Sequence, residues 1–292
     1  MLDYHLHLWS HDESSVNYRL DQVAQYCEEA QRHGVNELAL TEHLYRFVEL
    51  RAAVGDFWTR WDHEPTAPLM AEYFDFHARN SLEDYVTFAQ RAKAEGLPVK
   101  VGMEVDYYRD QMDVVADLVS QYPFDVLIGS VHWLNTWQFD DIDNEAHMAQ
   151  WRIRDVDASW DLYTTALEEL AAFDVVDVLA HPDVIKVANV LPHDPTALWE
   201  RMADAAGTAN VSVECSSSGW FKPVGEQYPA AGLLDRFVQR GVTFTTASDA
   251  HRAERVGSRA GDLATLLEAR GVHELASYDR RQRVMVPLRA TP

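Results

Sequence analysis

Histidine and acidic residues are concentrated at the start of the chain. The segment DYHLHLWSHDE, residues 3–13, holds three histidines and three acidic residues. Its alternating pattern predicts a strand in which His5 and His7 share one face, because successive side chains of a strand point to opposite sides. A strand face usually packs against a core, so two imidazoles on one face need another explanation. They could be metal ligands, surface residues or part of a nucleic-acid contact.

The same residue types recur along the chain, each time at the end of an apolar run or directly after it. These later residues are Glu42, His43, Glu104, Asp106, His132, His181, Asp183, Asp249 and His251. Imidazole and carboxylate are ligand types suited to Zn, Mn and Fe, whereas a structural zinc site would be expected to use Cys. Because a catalytic metal takes about three protein ligands, some nine donors predict two or three divalent metal ions, with a carboxylate such as Glu104 bridging them.

The elements that must position these residues alternate between strand and helix. Strand-like runs are predicted at residues 2–5, 37–41, 99–104, 125–130, 176–181, 210–215 and 242–247. Amphipathic stretches lie between them, and this alternation predicts a parallel sheet with right-handed crossovers. The histidines and acids stand at the carboxyl ends of the runs, which is where a parallel α/β barrel builds its active site. We therefore predict a closed α/β barrel with one site at its mouth.

Two long segments, residues 44–80 and 133–156, interrupt the alternation. Insertions of this length in a compact domain are usually functional covers over a site. The alternative is a packed helical decoration on the rim of the barrel. Four of the five tryptophans in these two segments are placed near the predicted mouth, which are Trp58, Trp61, Trp133 and Trp137.

Composition restricts the class of partner. The chain has 292 residues, of which 47% are hydrophobic, and this is enough for a sizeable core. Its net charge of −22 disfavours binding to long nucleic acids or to anionic membranes, which require a basic surface. No apolar run approaches the roughly 20 residues of a membrane span. Two cysteines, Cys27 and Cys215, cannot build a disulfide framework, so a cytoplasmic protein is predicted.

Taken in order, the motifs resemble those of a known family. The segments HLH, TEH, GMEVD, GSVH, LAHPD and ASDAH are similar to the motifs of the polymerase and histidinol phosphatase (PHP) superfamily. The resemblance runs from residue 3 to about residue 257. It implies a single domain over residues 1–292, folded as a distorted (β/α)7 TIM-like barrel of the PHP type with a trinuclear metal site. The segments SVHWLNTWQFDD and SSSGWFKPVGEQYP further resemble the PHP-type histidinol-phosphate phosphatases.

The resemblance also implies which residues hold each metal ion. The first ion would be held by His5, His7, Glu104 and Asp249. The second would share Glu104 and add His132 and His181. The third would take His43, His251 and one residue of the segment 11–13. In that segment Asp12 is favoured, Glu13 is the alternative, and His11 is the least favoured.

The implied activity is metal-dependent hydrolysis of a small phosphate monoester, with L-histidinol phosphate as the leading substrate. Asp249 and His251 are the candidates for protonating or positioning the leaving alkoxide. Phosphatases of the family tend to carry Arg at two phosphate contacts where this chain has Lys186 and Lys222. Lysine serves phosphate as a point charge but lacks the bidentate fork of arginine. The two lysines are therefore either substrate contacts or ordinary surface residues.

Three other functions fit parts of the pattern. A phosphoesterase of nucleotides or other small phosphate esters could use the tryptophans of the two insertions to stack bases. An amidohydrolase-like enzyme also begins with HxH, but that class typically has eight strands. A metal-stabilised domain without activity would normally lack some ligands, whereas this chain has a suitable residue at every position.

Overall fold

Seven parallel strands form the centre of the molecule. The computed structural model describes residues 1–289. The strands of the main sheet are β1 (Leu2–Asp3), β2 (Glu37–Leu40), β3 (Val99–Asp106), β4 (Val126–Ser130), β7 (Val178–Leu179), β8 (Ser212–Ser216) and β9 (Phe244–Ala247). They are hydrogen-bonded in that order and in parallel, and each one overlaps a predicted run.

The sheet curls until its two edge strands meet. The amide of Tyr4, just after β1, donates to the carbonyl of Thr246 in β9 over 3.0 Å. Further along, Leu6 and Ala250 form a parallel bridge. The predicted distorted (β/α)7 barrel is therefore confirmed. We call the carboxyl ends of its strands the mouth and the amino ends the base.

Helices cover the outside of the barrel and connect its strands. The described residues contain α1 (Leu20–Arg32), α2 (Val48–Val54), α3 (Ala67–His77), α4 (Leu82–Ala94), α5 (Met112–Val119), α6 (Glu145–Gln150), α7 (Val156–Ala172), α8 (Thr196–Ala209), α9 (Ala231–Gln239) and α10 (Ala260–Glu268). The strands are buried on both faces, as in β4, where all five residues are inaccessible. Gly34 after α1 and Gly241 after α9 adopt left-handed backbone angles, the usual conformation just past the end of a helix.

The two long insertions pack against each other above the mouth. The first, residues 44–80, contains α2, α3 and two short 3₁₀ turns. The second, residues 133–156, forms a hairpin of β5 (Trp133–Leu134) and β6 (Trp137–Gln138), followed by α6. The hydroxyls of Thr66 and Thr136 join them over 2.7 Å, and Glu64 accepts a bond of 2.9 Å from Arg154. The insertions thus form one continuous layer, which we call the roof.

A second hairpin, which the strand-like runs did not include, covers the base. It consists of β10 (Glu274–Asp279) and β11 (Gln282–Pro287), paired in antiparallel register. The Arg281 side chain donates to Asp177 over 3.0 Å, and the hydroxyls of Tyr278 and Ser212 lie 2.7 Å apart. The predicted domain boundary at residue 292 lies outside the described residues.

Candidate metal centre

Side chains from six strand ends converge in the mouth. Among the described residues, four groups of histidine and carboxylate side chains each place their ligand atoms within 4.8 Å of one another. The groups are His7, His43 and His251; His5, Glu104 and His181; His5, His7 and Asp249; and His43, Asp106 and His132. Eight of the nine predicted metal ligands belong to them, and Asp12 does not.

Glu104 lies at the centre of this cluster. Its Oε2 is 2.6 Å from Nδ1 of His43 and 3.3 Å from Nε2 of His5. Its Oε1 is 3.3 Å from Nε2 of His181 and 3.5 Å from Nε2 of His132. Burial raises the pKa of this carboxyl, but the surrounding imidazoles outweigh burial and hold the pKa well below its usual range. A carboxylate with imidazoles on both oxygens has the arrangement of a bridging ligand.

Two further carboxylates contact the Nδ1 atoms of ligand histidines, on the side of each ring that faces away from Glu104. Glu214 Oε2 lies 2.8 Å from Nδ1 of His5, and Asp106 Oδ1 lies 2.6 Å from Nδ1 of His132. A carboxylate behind Nδ1 fixes the proton there and leaves Nε2 free as a lone-pair donor, which is the usual second partner of a metal-bound histidine. The sequence analysis assigned no role to Glu214, although a glutamate inside an apolar strand could have indicated one.

Several buried polar atoms of the cluster have no hydrogen-bond partner in the described part of the chain. Both oxygens of Glu104, both ring nitrogens of His43 and Nε2 of His251 are buried without a hydrogen-bond partner in residues 1–289, although His43 Nδ1 and Glu104 Oε2 approach to 2.6 Å. Burying unsatisfied carboxylate and imidazole groups together is costly unless a cation binds between them. This donor set, with only nitrogen and oxygen ligands, therefore fits divalent metal ions.

Backbone strain coincides with two of the ligand positions. His181 and Asp249 have φ angles of 24° and 52°, in the left-handed region that non-glycine residues rarely adopt. Such strain costs on the order of 1–3 kcal/mol and tends to cluster at functional sites. Asp249 is kept in place because its amide donates to the carbonyl of His5 over 2.8 Å. The strain turns both side chains towards the cluster.

A buried arginine fixes the loop that follows β1. Arg46 is fully inaccessible, and its Nε donates to Glu42 Oε1 over 2.8 Å. Its Nη1 and Nη2 donate to the carbonyls of Glu13 and Ser10 over 2.6 and 2.8 Å. Glu42 in turn lies 3.4 Å from Nδ1 of His7. Arg46 thus links the loop 9–13 to a ligand-bearing histidine, a role that the sequence pattern did not reveal.

Within that loop the structure brings His11 to the cluster. The His11 ring lies 4.4 Å from the ring of His251 and 5.1 Å from that of His43, measured between centroids. Its Nδ1 is 3.1 Å from the Tyr45 hydroxyl. Asp12 is exposed and Glu13 bonds the amide of Ser10, so neither carboxylate reaches the other ligands here.

The two candidate phosphate contacts differ in their surroundings. Lys186 is buried, and its Nζ donates to Asp183, Glu226 and the carbonyl of Gln227 over 2.8–2.9 Å. These three bonds use all the donors of an ammonium group. Lys222 is exposed on the loop after β8. Only Lys222 therefore has donors available for a phosphate in this structure.

The tryptophans of the insertions do not form a stacking surface. Trp58, Trp133 and Trp137 are at most 5% exposed and pack inside the roof. Trp137, for example, lies 4.7 Å from the ring of Trp151 and donates to the carbonyl of His147. Only Trp61 is partly accessible. The proposed stacking of bases on these rings finds no support in the fold.

One other carboxylate faces the cluster from the roof. Asp140 follows β6, and its Oδ2 lies 3.9 Å from Nε2 of His132. Burial raises the pKa of Asp140 to about 6, although His132 acts in the opposite direction. Asp140 is in none of the four groups. The sequence analysis did not assign this residue.

A parallel barrel with a cluster of imidazoles and carboxylates at its mouth defines a metal-dependent hydrolase. The chain belongs to the PHP domain family, whose model matches residues 5–218. A probable histidinol-phosphatase from Deinococcus radiodurans is 31% identical over 207 residues, which are 69% of this chain and 76% of that protein. A probable histidinol-phosphatase from Schizosaccharomyces pombe is 23% identical over 282 residues, 90% of this chain and 84% of that protein.

Two solved structures share the fold. The histidinol phosphate phosphatase of Lactococcus lactis, in complex with zinc, L-histidinol and phosphate, has a TM-score of 0.71 at 20% identity, covering 97% of this chain and 98% of that one. A putative histidinol phosphatase from Listeria monocytogenes has a TM-score of 0.67 at 16% identity, covering 90% and 99%. Both confirm the PHP-type barrel. Within residues 1–289, no helix has the length and apolar character needed to cross a membrane.

Proposed function

We propose that this protein is a metal-dependent phosphomonoesterase that converts L-histidinol phosphate and water to L-histidinol and phosphate. The observation that carries the proposal is the Glu104-centred cluster, in which imidazoles and carboxylates are buried together without internal partners. The choice of L-histidinol phosphate as the substrate rests on the relatives named as probable histidinol-phosphatases. A small phosphorylated substrate also agrees with the strongly acidic chain, because metal ions would provide the local positive charge.

The proposed centre holds two to three divalent ions, which are Zn, Mn or Fe. His5, His7, Glu104 and Asp249 would bind the first. Glu104, His132 and His181 would bind the second, and His43 and His251 the third. Asp12 is the residue that the sequence favours to complete this last set, whereas the geometry supports His11, whose ring lies beside both histidines. The ions, when bound, supply Lewis acidity that activates water and neutralises charge on the phosphoryl oxygens.

The protein's own contribution is to orient donors and to limit access of water. Glu214 and Asp106 hold His5 and His132 so that each Nε2 faces the centre. In the proposed reaction a water oxygen bonds to phosphorus, the bond from phosphorus to the ester oxygen breaks, and the leaving alkoxide takes up a proton. Asp249 and His251 are about one-fifth exposed, which places them where a substrate can reach the cluster. We assign them to positioning the leaving oxygen.

The remaining parts of the proposal concern the phosphate contact and the setting of the enzyme. Lys222 is proposed as a substrate contact because its ammonium is accessible, whereas the donors of Lys186 are occupied by Asp183, Glu226 and a carbonyl.

We treat the chain as a single domain over residues 1–292, with the insertions acting as a cover. Two buried free cysteines fit the cytoplasmic location that the sequence predicts.

The test is phosphate release by the purified, metal-loaded protein. L-histidinol phosphate, nucleoside monophosphates and a phosphodiester are compared as values of kcat/KM under the same conditions. We expect L-histidinol phosphate to be hydrolysed with the highest kcat/KM. A higher value for a nucleotide would support the alternative substrate class, and phosphate release that persists after complete removal of metal would refute the proposed mechanism.

A further inference from the structure

Asp140 occupies a fixed position between the roof and the metal centre. It lies two residues after the end of β6, and the hairpin that precedes it is tied to the first insertion through the hydroxyls of Thr66 and Thr136. Its side chain is 20% exposed. Asp140 Oδ2 lies 3.9 Å from Nε2 of His132, and that nitrogen lies 3.5 Å from Glu104. The carboxylate therefore borders the centre on the side from which the roof covers it.

Asp140 shares with Glu104 a buried carboxylate oxygen that no group of residues 1–289 hydrogen-bonds, whereas three other carboxylates of the centre each have a partner on one oxygen. Glu42 accepts a bond from Arg46, Asp106 lies 2.6 Å from Nδ1 of His132, and Glu214 lies 2.8 Å from Nδ1 of His5. Asp140 Oδ1 is buried without a hydrogen-bond partner in the part of the chain that the structure describes. Leaving a buried carboxylate oxygen unsatisfied is unfavourable, which indicates that a cationic donor normally binds there.

The metal ions themselves are not the best candidates for that donor. Asp140 is in none of the four groups whose ligand atoms lie within 4.8 Å of one another. The imidazoles that would accompany it at the second ion, His132 and His181, instead approach each other to 3.3 Å and face Glu104. The carboxylate lies on the outer side of His132, 3.9 Å from its Nε2.

We propose that Asp140 determines specificity by binding a primary ammonium group on the carbon next to the phosphate ester. The inference rests on the proposed function and narrows its substrate class to phosphate monoesters of 2-amino alcohols. A carboxylate accepts only, and an ammonium group offers three donors in a charge-assisted bond. In the same roof, Tyr73 and Trp133 pack edge to face at 5.3 Å, and the buried Tyr73 hydroxyl also lacks a partner in residues 1–289.

The experiment compares matched substrates in matched variants of the metal-loaded enzyme. The substrates are L-histidinol phosphate and 3-(imidazol-4-yl)propyl phosphate, which has the same carbon chain and lacks only the amine. The variants are Asp140→Asn, Asp140→Glu and the control Asp143→Asn, which changes an exposed residue of the same loop. KM, kcat and bound metal are measured for each variant with each substrate.

For Asp140→Asn we expect KM for L-histidinol phosphate to rise roughly 10- to 100-fold, the usual value of a charge-assisted bond, with little change in kcat. KM for the amine-free ester and the metal content should stay at the wild-type values. Asp140→Glu should recover part of the preference for the amine, and Asp143→Asn should behave as wild type. An equal loss with both esters, or a loss of bound metal, would refute the inference.

Failure of the proposed function gives a different result. In that case the wild-type enzyme hydrolyses both imidazole esters poorly compared with nucleotides. The pair ethanolamine phosphate and ethyl phosphate then takes their place, because these esters also differ by one amine. Asp140→Asn should still abolish any preference for the aminated ester. A wild-type enzyme without such a preference would refute the role of Asp140 whichever ester is physiological.

Discussion

Carboxylates stand at both ends of the barrel, but their partners differ. At the base, Asp125 accepts two bonds of 2.8 Å from Lys93 and one of 2.9 Å from the amide of Val101. At the mouth, Glu104 is surrounded by imidazoles and has no hydrogen-bond partner within residues 1–289. The base has therefore neutralised its acids with the protein's own cations and amides. At the mouth Glu42, Asp106 and Glu214 have partners, but the central Glu104 has none among the described residues, which leaves its charge available for bound cations.

This comparison separates structural acids from functional ones by what they contact. Burial does not distinguish them, because Asp125 is 3% and Glu104 is 0% exposed. Proximity to a strand end does not distinguish them either, since Glu104 lies two residues before the end of β3 and Asp125 directly precedes β4. An acid with a complete set of partners stabilises the fold, whereas an acid without one keeps its charge for a ligand.

The largest effect is expected from Glu104→Gln. Removing the central charge should lower metal content and reduce kcat/KM about 1,000-fold or more, because each proposed ion loses a shared ligand. Elemental analysis and phosphate release measure the two effects. Glu37→Gln, which changes a base glutamate bonded to Tyr4 and Ser277, is the matched control and should keep both metal and activity. Equal activity of the two variants would remove the distinction between mouth and base.

A smaller effect is expected from Arg46→Lys. Lysine cannot bond Glu42 and the carbonyls of Ser10 and Glu13 at once, so the loop 9–13 and His7 should lose their fixed orientation. We expect metal affinity to fall roughly 10- to 100-fold, as for other partners that orient ligands. Competition with a chelator measures the affinity. The conservative control Arg51→Lys alters a partly exposed arginine of the same insertion and should leave affinity unchanged. If both variants bind metal normally, Arg46 has only a packing role.

The ligands at the mouth could be predicted from the sequence because they recur at the ends of the strand-like runs. The ligands His5, His132 and His181 each follow an apolar run, and parallel strands bring such positions to one end of a barrel. The groups that hold these ligands were harder to find. Glu214 lies inside a strand-like run and Asp140 inside an insertion, so their contacts depend on how distant segments pack. The hydrophobic periodicity of a strand or a helix, two or 3.6 residues, carries no information on contacts between distant segments.

The base hairpin was missed for a specific reason. Its two-residue loop, Arg280–Arg281, has positive φ at both positions, which a hairpin of this type usually obtains with Asn-Gly. Two arginines give no turn pattern in the sequence. Tertiary bonds stabilise them instead, because the amide of Arg280 donates to Asp125 and the Arg281 side chain donates to Asp177. Partners at the base therefore fix a turn that local sequence does not encode.

The third prediction tests the base directly. Asp125→Ala leaves the amides of Val101 and Arg280 without their side-chain acceptor, while the Lys93 ammonium keeps only its bond to Asp279. We expect the free energy of unfolding to fall by about 1–3 kcal/mol, mainly because buried backbone amides lose their acceptor, since the ion pair itself is partly exposed to solvent. Denaturant titration measures it, while kcat/KM of the folded protein should be unchanged. A variant with normal stability but lower activity would show that the base contributes to catalysis rather than to the fold.

The smallest effect concerns His147, an imidazole of the roof that contacts no ligand of the proposed centre. It is 3% exposed, its Nδ1 has no partner among the described residues, and burial lowers its pKa to about 4. An unfolded histidine titrates near pH ~6.5, so between about pH 6.5 and pH 4 only the unfolded state binds this proton. Stability should therefore fall with decreasing pH in that window, by at most about 1.4 kcal/mol per pH unit from this residue.

Substitution of His147 separates the loss of stability caused by its low pKa from the loss of metal at acid pH. Relative to the wild type, His147→Leu should gain stability steadily as the pH falls from about 6.5 towards 4, and the difference should be constant above pH ~6.5. Denaturant titrations at fixed metal concentration measure it, with the exposed His193→Leu as the control. A difference that does not vary with pH would mean that His147 has a partner in solution. Its imidazole would then resemble the ligands of the mouth, and an unpaired nitrogen would no longer suffice to recognise a site.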